Sequence, residues 1–113
     1  MLIGTINDVT LDPVRSEGAS GASISWLIDT AKGAPTFAMR LIRLEPHGRT
    51  PRHQHAWEHE VFIVEGAGKL WAEARWTTLE RGCFVLVSPD EEHQFVAGPG
   101  GMSFLCLVPH GAT

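Results

Sequence analysis

The chain has little of what marks several large protein classes. It carries only two cysteines, Cys83 and Cys106, in apolar segments and without Cys-x-x-Cys spacing. Two thiols so placed argue against a disulfide framework and read as reduced, buried side chains of a cytoplasmic protein. Lysine and arginine total 9 and are scattered, the formal net charge is −4, and no basic cluster exists to grip a phosphate backbone. Nucleic acid is therefore not an expected partner. No apolar run approaches the roughly 20 residues of a spanning helix, so no membrane partner is expected either. The opening Met1-Leu2-Ile3-Gly4-Thr5 lacks a basic n-region and a cleavage signature, and export is not expected. Helical periodicity is scarce as well. After residue 35 no stretch keeps apolar residues at i, i+3, i+4 and i+7 behind a capping residue.

Apolar residues make up 43% of the 113-residue chain and charged residues 19%, enough for one domain with one core and too little for two. The 12 glycines and 7 prolines are spread along the whole length, as frequent turns between short strands require. Strand-like runs recur at Ser23 to Ile28, Thr36 to Leu44, Trp57 to Glu65, Lys69 to Ala74, Trp76 to Leu79, Cys83 to Val87, His93 to Ala97 and Met102 to Val108. The clusters 45–48, 66–68 and 98–101 read as turns between them. This rhythm of about eight to ten short strands predicts an all-β sandwich or barrel. Residues 1–113 form one domain in this reading, with a core over about 20–110 and an arm or edge strand over 1–20.

Four of the six histidines stand out. His53, His55 and His59 share a parity, and on an extended strand such side chains point to one face. His93 can join them from a neighbouring strand. A lone buried histidine is usually a hydrogen-bonded core residue, but several in phase within an apolar stretch suit a metal better, since neutral imidazole is the commonest protein ligand. Trp57 shares the same parity. Glu60 has the opposite parity and reaches the site only if the strand bulges. His47 and His110 lie in turn-like contexts and read as exposed. Trp71 and Trp76 read as hairpin or interface aromatics, and Asp90-Glu91-Glu92 as a solvated turn.

The spacing resembles that of the cupins. Their first motif runs Gly, five residues, His-x-His, three or four residues, Glu, six residues, Gly; here His53-x-His55 leads to position 59 and then to Gly66. Gly48 stands one residue too close, and position 59 holds His in place of Glu. The second motif matches at Gly82 and Pro89-Asp90-Glu91-Glu92-His93, without the usual Asn. The run His53 to Phe62, together with Phe37 to Leu41 and Phe104 to Pro109, is similar to small single-domain cupins with an all-histidine site. The resemblance implies a small cupin β-barrel (a double-stranded β-helix, or jelly roll) and one divalent metal. The implied ligands are His53, His55, His59 and His93, with manganese first, iron second and zinc third. It also implies a last strand lining the metal cavity and a homodimer, for which exposed sheet edges give an independent reason.

Four neutral imidazoles would leave a divalent ion its full charge and make it strongly electrophilic. A six-coordinate ion keeps two open positions, whereas a tetrahedral zinc on four histidines is closed and structural. Phe95, Phe104, Cys106, Trp57 and Arg40 are the candidate pocket residues. Arg40 fits better as a strand residue at the solvent edge, and Cys106 has no evident base or cation to activate it. The sequence points first to an oxygen- or peroxide-dependent oxidase, dioxygenase-like, acting on a small, partly apolar organic molecule. A non-redox isomerase or lyase and a non-catalytic ligand-binding module are the alternatives.

Overall fold

The structure is a computed structural model that describes residues 1–111. Within these residues there is no α-helix, and two three-residue 3-10 turns, Ile6–Asp8 and Thr30–Lys32, are the helical content. Seven strands form a single antiparallel sheet: β1 (Asp12–Pro13), β2 (Ser20–Ile28), β3 (Phe37–Arg49), β4 (His59–Ala72), β5 (Arg75–Glu80), β6 (Phe84–Val87) and β7 (Gln94–Pro109). Their order is β1-β2-β3-β7-β4-β5, with β6 paired to β4. The long β7 takes β3 on one edge and β4 on the other. The sheet rolls into a small barrel, the all-β architecture that the sequence predicts.

Fewer and longer strands form than the turn-like clusters predict. The clusters 45–48, 66–68 and 98–101 are not hairpin turns. They are irregularities through which β3, β4 and β7 continue, with the ladder register shifting between Leu44 and Arg49, Ile63 and Glu65, and Gly66 and Gly68. A bulge bends a strand without ending it, and a barrel needs such corners. Gly66 illustrates the requirement: its φ is 78°, and a Cβ there would collide with the carbonyl oxygen of Gly101. The adjacent strand-like runs Lys69 to Ala74 and Trp76 to Leu79 do form a tight hairpin. Glu73 and Ala74 both sit at positive φ (53° and 59°) and join β4 to β5, with Trp71 and Trp76 paired directly across the ladder.

Strand alternation sets the core. Ala38, Ile42 and Leu44 on β3, Val61, Ile63 and Leu70 on β4, and Phe95, Ala97, Met102, Phe104, Cys106 and Val108 on β7 pack into one buried cluster. The segment before β2 contributes little to it. β1 is two residues long and pairs only with β2 at Asp12–Ile24 and Pro13–Ser23, while Met1, Leu2, Ile3 and Ile6 stay exposed.

Candidate metal centre and its cavity

The loop between β3 and β4 runs alongside the start of β7 and is tied to it by backbone bonds. His53 and His93 exchange both of their amide bonds, His53 N–H to His93 O at 3.1 Å and His93 N–H to His53 O at 2.9 Å. One turn away, Thr50 N–H donates to Phe95 O at 3.0 Å, Phe95 N–H donates to Thr50 Oγ1 at 2.9 Å, and Gln94 Nε2 donates to Thr50 O at 2.9 Å. The histidine loop is therefore tied to the start of β7 by strand-like backbone bonds, although it is not a strand.

Burial along this loop alternates. His53, His55, Trp57 and His59 turn inward, while Gln54, Glu58 and Glu60 are exposed. The strand does not bulge here, so Glu60 stays on the outer face. His53, His55 and His93 each bring one ring nitrogen to within 4.8 Å of the others. Three donors bound to a common ion at about 2.1 Å lie no more than about 4.2 Å apart, so this group needs only a slight contraction to share one. The imidazole of His59 lies beside the group, stacked on His55 with centroids 4.8 Å apart.

The protonation states suit metal binding. Burial, helped by the neighbouring imidazoles and Arg40, pulls His53 down to about 4. His59 falls to about 3, with burial again the largest cause and Arg40 next. His55 and His93 are lowered chiefly by burial, and in His93 the nearby carbonyl of Glu91 opposes the shift. All four are neutral at pH 7 and offer lone pairs. A carbonyl oxygen can only accept, so His93 Nδ1–H donates to Glu91 O at 2.8 Å and its Nε2 is the free base. The residues present fit a divalent ion.

His59 is engaged differently. Indole nitrogen can only donate, so Trp57 Nε1–H donates to His59 Nε2 at 3.2 Å, and the neutral ring carries its proton on Nδ1. That proton faces Cys106 Sγ at 3.1 Å, and Arg40 Nη2 donates to the same sulfur at 2.9 Å. The register explains the meeting, because Arg40 on β3 and Val61 on β4 both stand opposite Cys106 on β7.

Two expectations about this corner change. Arg40 is not at the solvent edge: it is half-buried, its guanidinium lies 5.4 Å from the Trp26 ring centroid, and it faces the cavity. The residues flanking it, Leu41 and Ile42, suggest a plain strand but do not reveal which face the arginine takes. Cys106 does have a cation beside it, and an imidazole that presents an N–H to the sulfur and not a base. Its thiol is nevertheless pushed above the ordinary cysteine value, because burial outweighs the guanidinium.

The histidines open onto a cavity of about 380 Å³, within the range of small-molecule sites. Phe95, Phe104, Cys106, Trp57 and Arg40 all line it. So do Ile24, Trp26 and Ile42, which the sequence reading left unassigned; Ile24 and Trp26 share a parity on β2, the signal that would have found them. The wall includes two arginines and four histidines but no aspartate or glutamate. Of the remaining histidines, His47 is exposed, and His110 is tied by its ring to Thr30 and Ala34.

Comparisons agree with this architecture. Among curated proteins none matches the chain. Among solved structures, the polyketide cyclase RemF from Streptomyces resistomycificus is 35% identical, with 96% of this chain and 79% of that one covered at a TM-score of 0.91. A cupin 2 domain-containing protein from Halorhodospira halophila is 29% identical over 76% of this chain and 62% of its own, with a TM-score of 0.72. A cupin-2 domain protein from Rhodospirillum rubrum shares the fold at 20% identity and a TM-score of 0.85, with 96% and 74% covered. The cupin-domain family model Cupin_2 matches residues 40–108, the segment from the cavity arginine through the histidine loop to the end of β7. The chain belongs to the Cupin_2 family of cupin domains.

Proposed function

We propose that this cupin is a metal-dependent enzyme that acts on a small, largely apolar carbonyl compound without consuming oxygen, in a cyclase- or isomerase-type reaction. The observation that carries this reading is the convergence of three neutral imidazoles on an apolar-walled cavity free of carboxylates. The relation to RemF, named as a polyketide cyclase, supports the same class of chemistry. A divalent ion held by His53, His55 and His93 would supply Lewis-acid polarisation of a carbonyl oxygen. Manganese is the first choice, then iron, then zinc.

The chain's own residues do the rest. Glu91 O fixes the tautomer of His93 and leaves Nε2 as its base. Trp26, Trp57, Phe95 and Phe104 exclude water and give an organic molecule its contact surface. His59 holds its proton on Nδ1 against Cys106 and keeps a lone pair on Nε2, where Trp57 now donates. As the fourth ligand that the sequence predicts, His59 would have to exchange that indole bond for the ion.

A second reading, the oxygen- or peroxide-dependent oxidase, is supported by the small number of histidines in the group, His53, His55 and His93, which would hold a divalent ion without using up its capacity for substrate and oxygen. One experiment separates the two. Manganese-loaded protein is given 4-phenyl-2-butanone in deuterated water, under nitrogen and under air, and hydrogen exchange next to the carbonyl is followed by NMR. Exchange that is equal in both atmospheres and lost in His53→Ala is the expected result. Consumption of the ketone only in air would establish the oxidase, and binding with neither reaction would leave a ligand-binding module.

A further inference from the structure

We propose that the cavity is built for an organic anion, and that Arg40 is the residue that selects it. The inference deepens the reading above by naming the substrate class, and it rests on that reading only for the identity of the site.

A half-buried guanidinium ordinarily has a carboxylate partner, because burying an unpaired charge is costly. Arg40 has none in the cavity wall, where no aspartate or glutamate occurs. Among the described residues its partner is the sulfur of Cys106, which is a weak acceptor. Its Nε is shut away from solvent with no hydrogen-bond partner. Arginine presents its donors as a planar fork matched to two oxygens; with Nε shut away and Nη2 on the sulfur, Nη1 has no partner among the described residues.

The side chain is also held in place. Trp26 lies under the guanidinium at 5.4 Å, and Cys106 fixes Nη2 at 2.9 Å. The cation is thus pre-positioned, and an incoming anion need not order it. Arg15, at the exposed rim of the same cavity, adds a second positive charge on the way in. A ligand with an apolar body and a delocalised oxyanion satisfies the wall and the fork together. The oxyanion is a carboxylate, or the enolate of a 1,3-dicarbonyl compound.

The test uses manganese-loaded protein and reads ligand binding by quenching of the cavity tryptophans. Benzoate is compared with benzamide, its neutral counterpart of the same shape, and 1,3-cyclohexanedione serves as the enolate probe. A charge-assisted fork is worth about tenfold or more in affinity. Benzoate or the dione should therefore bind at least about tenfold tighter than benzamide, which identifies a carboxylate or an enolate substrate respectively. Arg40→Gln should erase that preference, bringing the ratio of benzoate to benzamide affinity to about one. Arg40→Lys, which keeps the charge but loses the fork, should restore part of it.

Equal binding of anions and amide by the unaltered protein would overturn the proposal without recourse to any variant. So would an anion preference that survives in Arg40→Gln. The same titration on His53→Ala separates the two readings. If the anion preference persists there while metal is lost, Arg40 acts independently of the ion. If ketone exchange succeeds but the anion preference is absent, the carbonyl chemistry stands and the anion site does not.

Discussion

The two halves of the barrel interior are lined by the same strands and do opposite things. In one half, Leu44, Ile63, Leu70, Leu79, Ala97 and Met102 fill the space between β3, β4, β5 and β7, all buried and all apolar. In the other half, the same inward face carries Arg40, His59 and Cys106, and the interior is a cavity. His59 and Ile63 lie on one strand and one face, four residues apart, yet one packs and the other is held by hydrogen bonds. The comparison teaches that the fold keeps its stability and its chemistry apart, and stability should respond to the first half and metal binding to the second.

The largest stability effect should come from the packed half. Ile63 is fully buried, so Ile63→Ala leaves a cavity and should cost about 2–5 kcal/mol. Urea unfolding of the metal-free protein measures it. His53→Ala in the same assay should change stability far less, because His53 is only half-buried and lines a space that is already open. Equal costs would mean that the two halves are one cooperative core.

Metal affinity should invert that ranking. His93→Ala removes a proposed ligand whose backbone and ring are both fixed, and its effect should exceed the roughly 10- to 100-fold loss typical of a supporting group. His59→Ala should weaken binding less, since both of its ring nitrogens already have partners. Glu60→Ala should leave binding unchanged, because Glu60 faces outward. Competition with a fluorescent chelator gives the order, and a large effect at Glu60 would contradict a strand phase that turns His59 inward and Glu60 outward.

Acid should act through the cavity half. Well above pH 6.5 the four imidazoles are neutral whether the chain is folded or not, and they contribute nothing to the pH dependence. Below it the unfolded chain takes up protons that the folded one refuses, because His53 is held to about 4 and His59 to about 3. Stability of the metal-free protein should therefore fall as pH drops from 6.5 towards 4. The urea midpoint should decline more steeply over that window in the unaltered chain than in a His53→Ala, His59→Phe double variant. Equal slopes would show that carboxylates elsewhere dominate.

What was legible in the sequence follows the same division. Parity alone placed His53, His55, Trp57 and His59 on one face and Glu60 on the other, because strand geometry is local. The all-β class was legible from turn spacing, but the strand count was not. Glycine permits a bulge as readily as a turn, and only the partner strands decide which forms at 66–68 and 98–101. The orientation of Arg40 was hidden for a related reason. Its cavity-facing role depends on Cys106, 66 residues away, and on Trp26, which meets it through the β2–β3 ladder.

The smallest effect belongs to the hairpin, outside both halves. Glu73 and Ala74 occupy left-handed conformations that cost an L-residue roughly 1–2 kcal/mol each, and hairpins of this kind favour glycine at the second position. The flanking pair explains why the turn is tolerated. Trp71 and Trp76 meet edge to face at 5.4 Å, and the Arg52 guanidinium lies 4.4 Å from the Trp71 ring and Lys69 Nζ 4.4 Å from the Trp76 ring. These contacts hold the ends of β4 and β5 together whatever joins them. Ala74→Gly should relieve the strain but loosen the unfolded chain, for a net gain of about 0.5–1 kcal/mol by urea unfolding. Metal affinity should not move, since the hairpin contributes nothing to the cavity wall. A loss of stability would mean that the turn is held by its own side chains and not by the tryptophan pair.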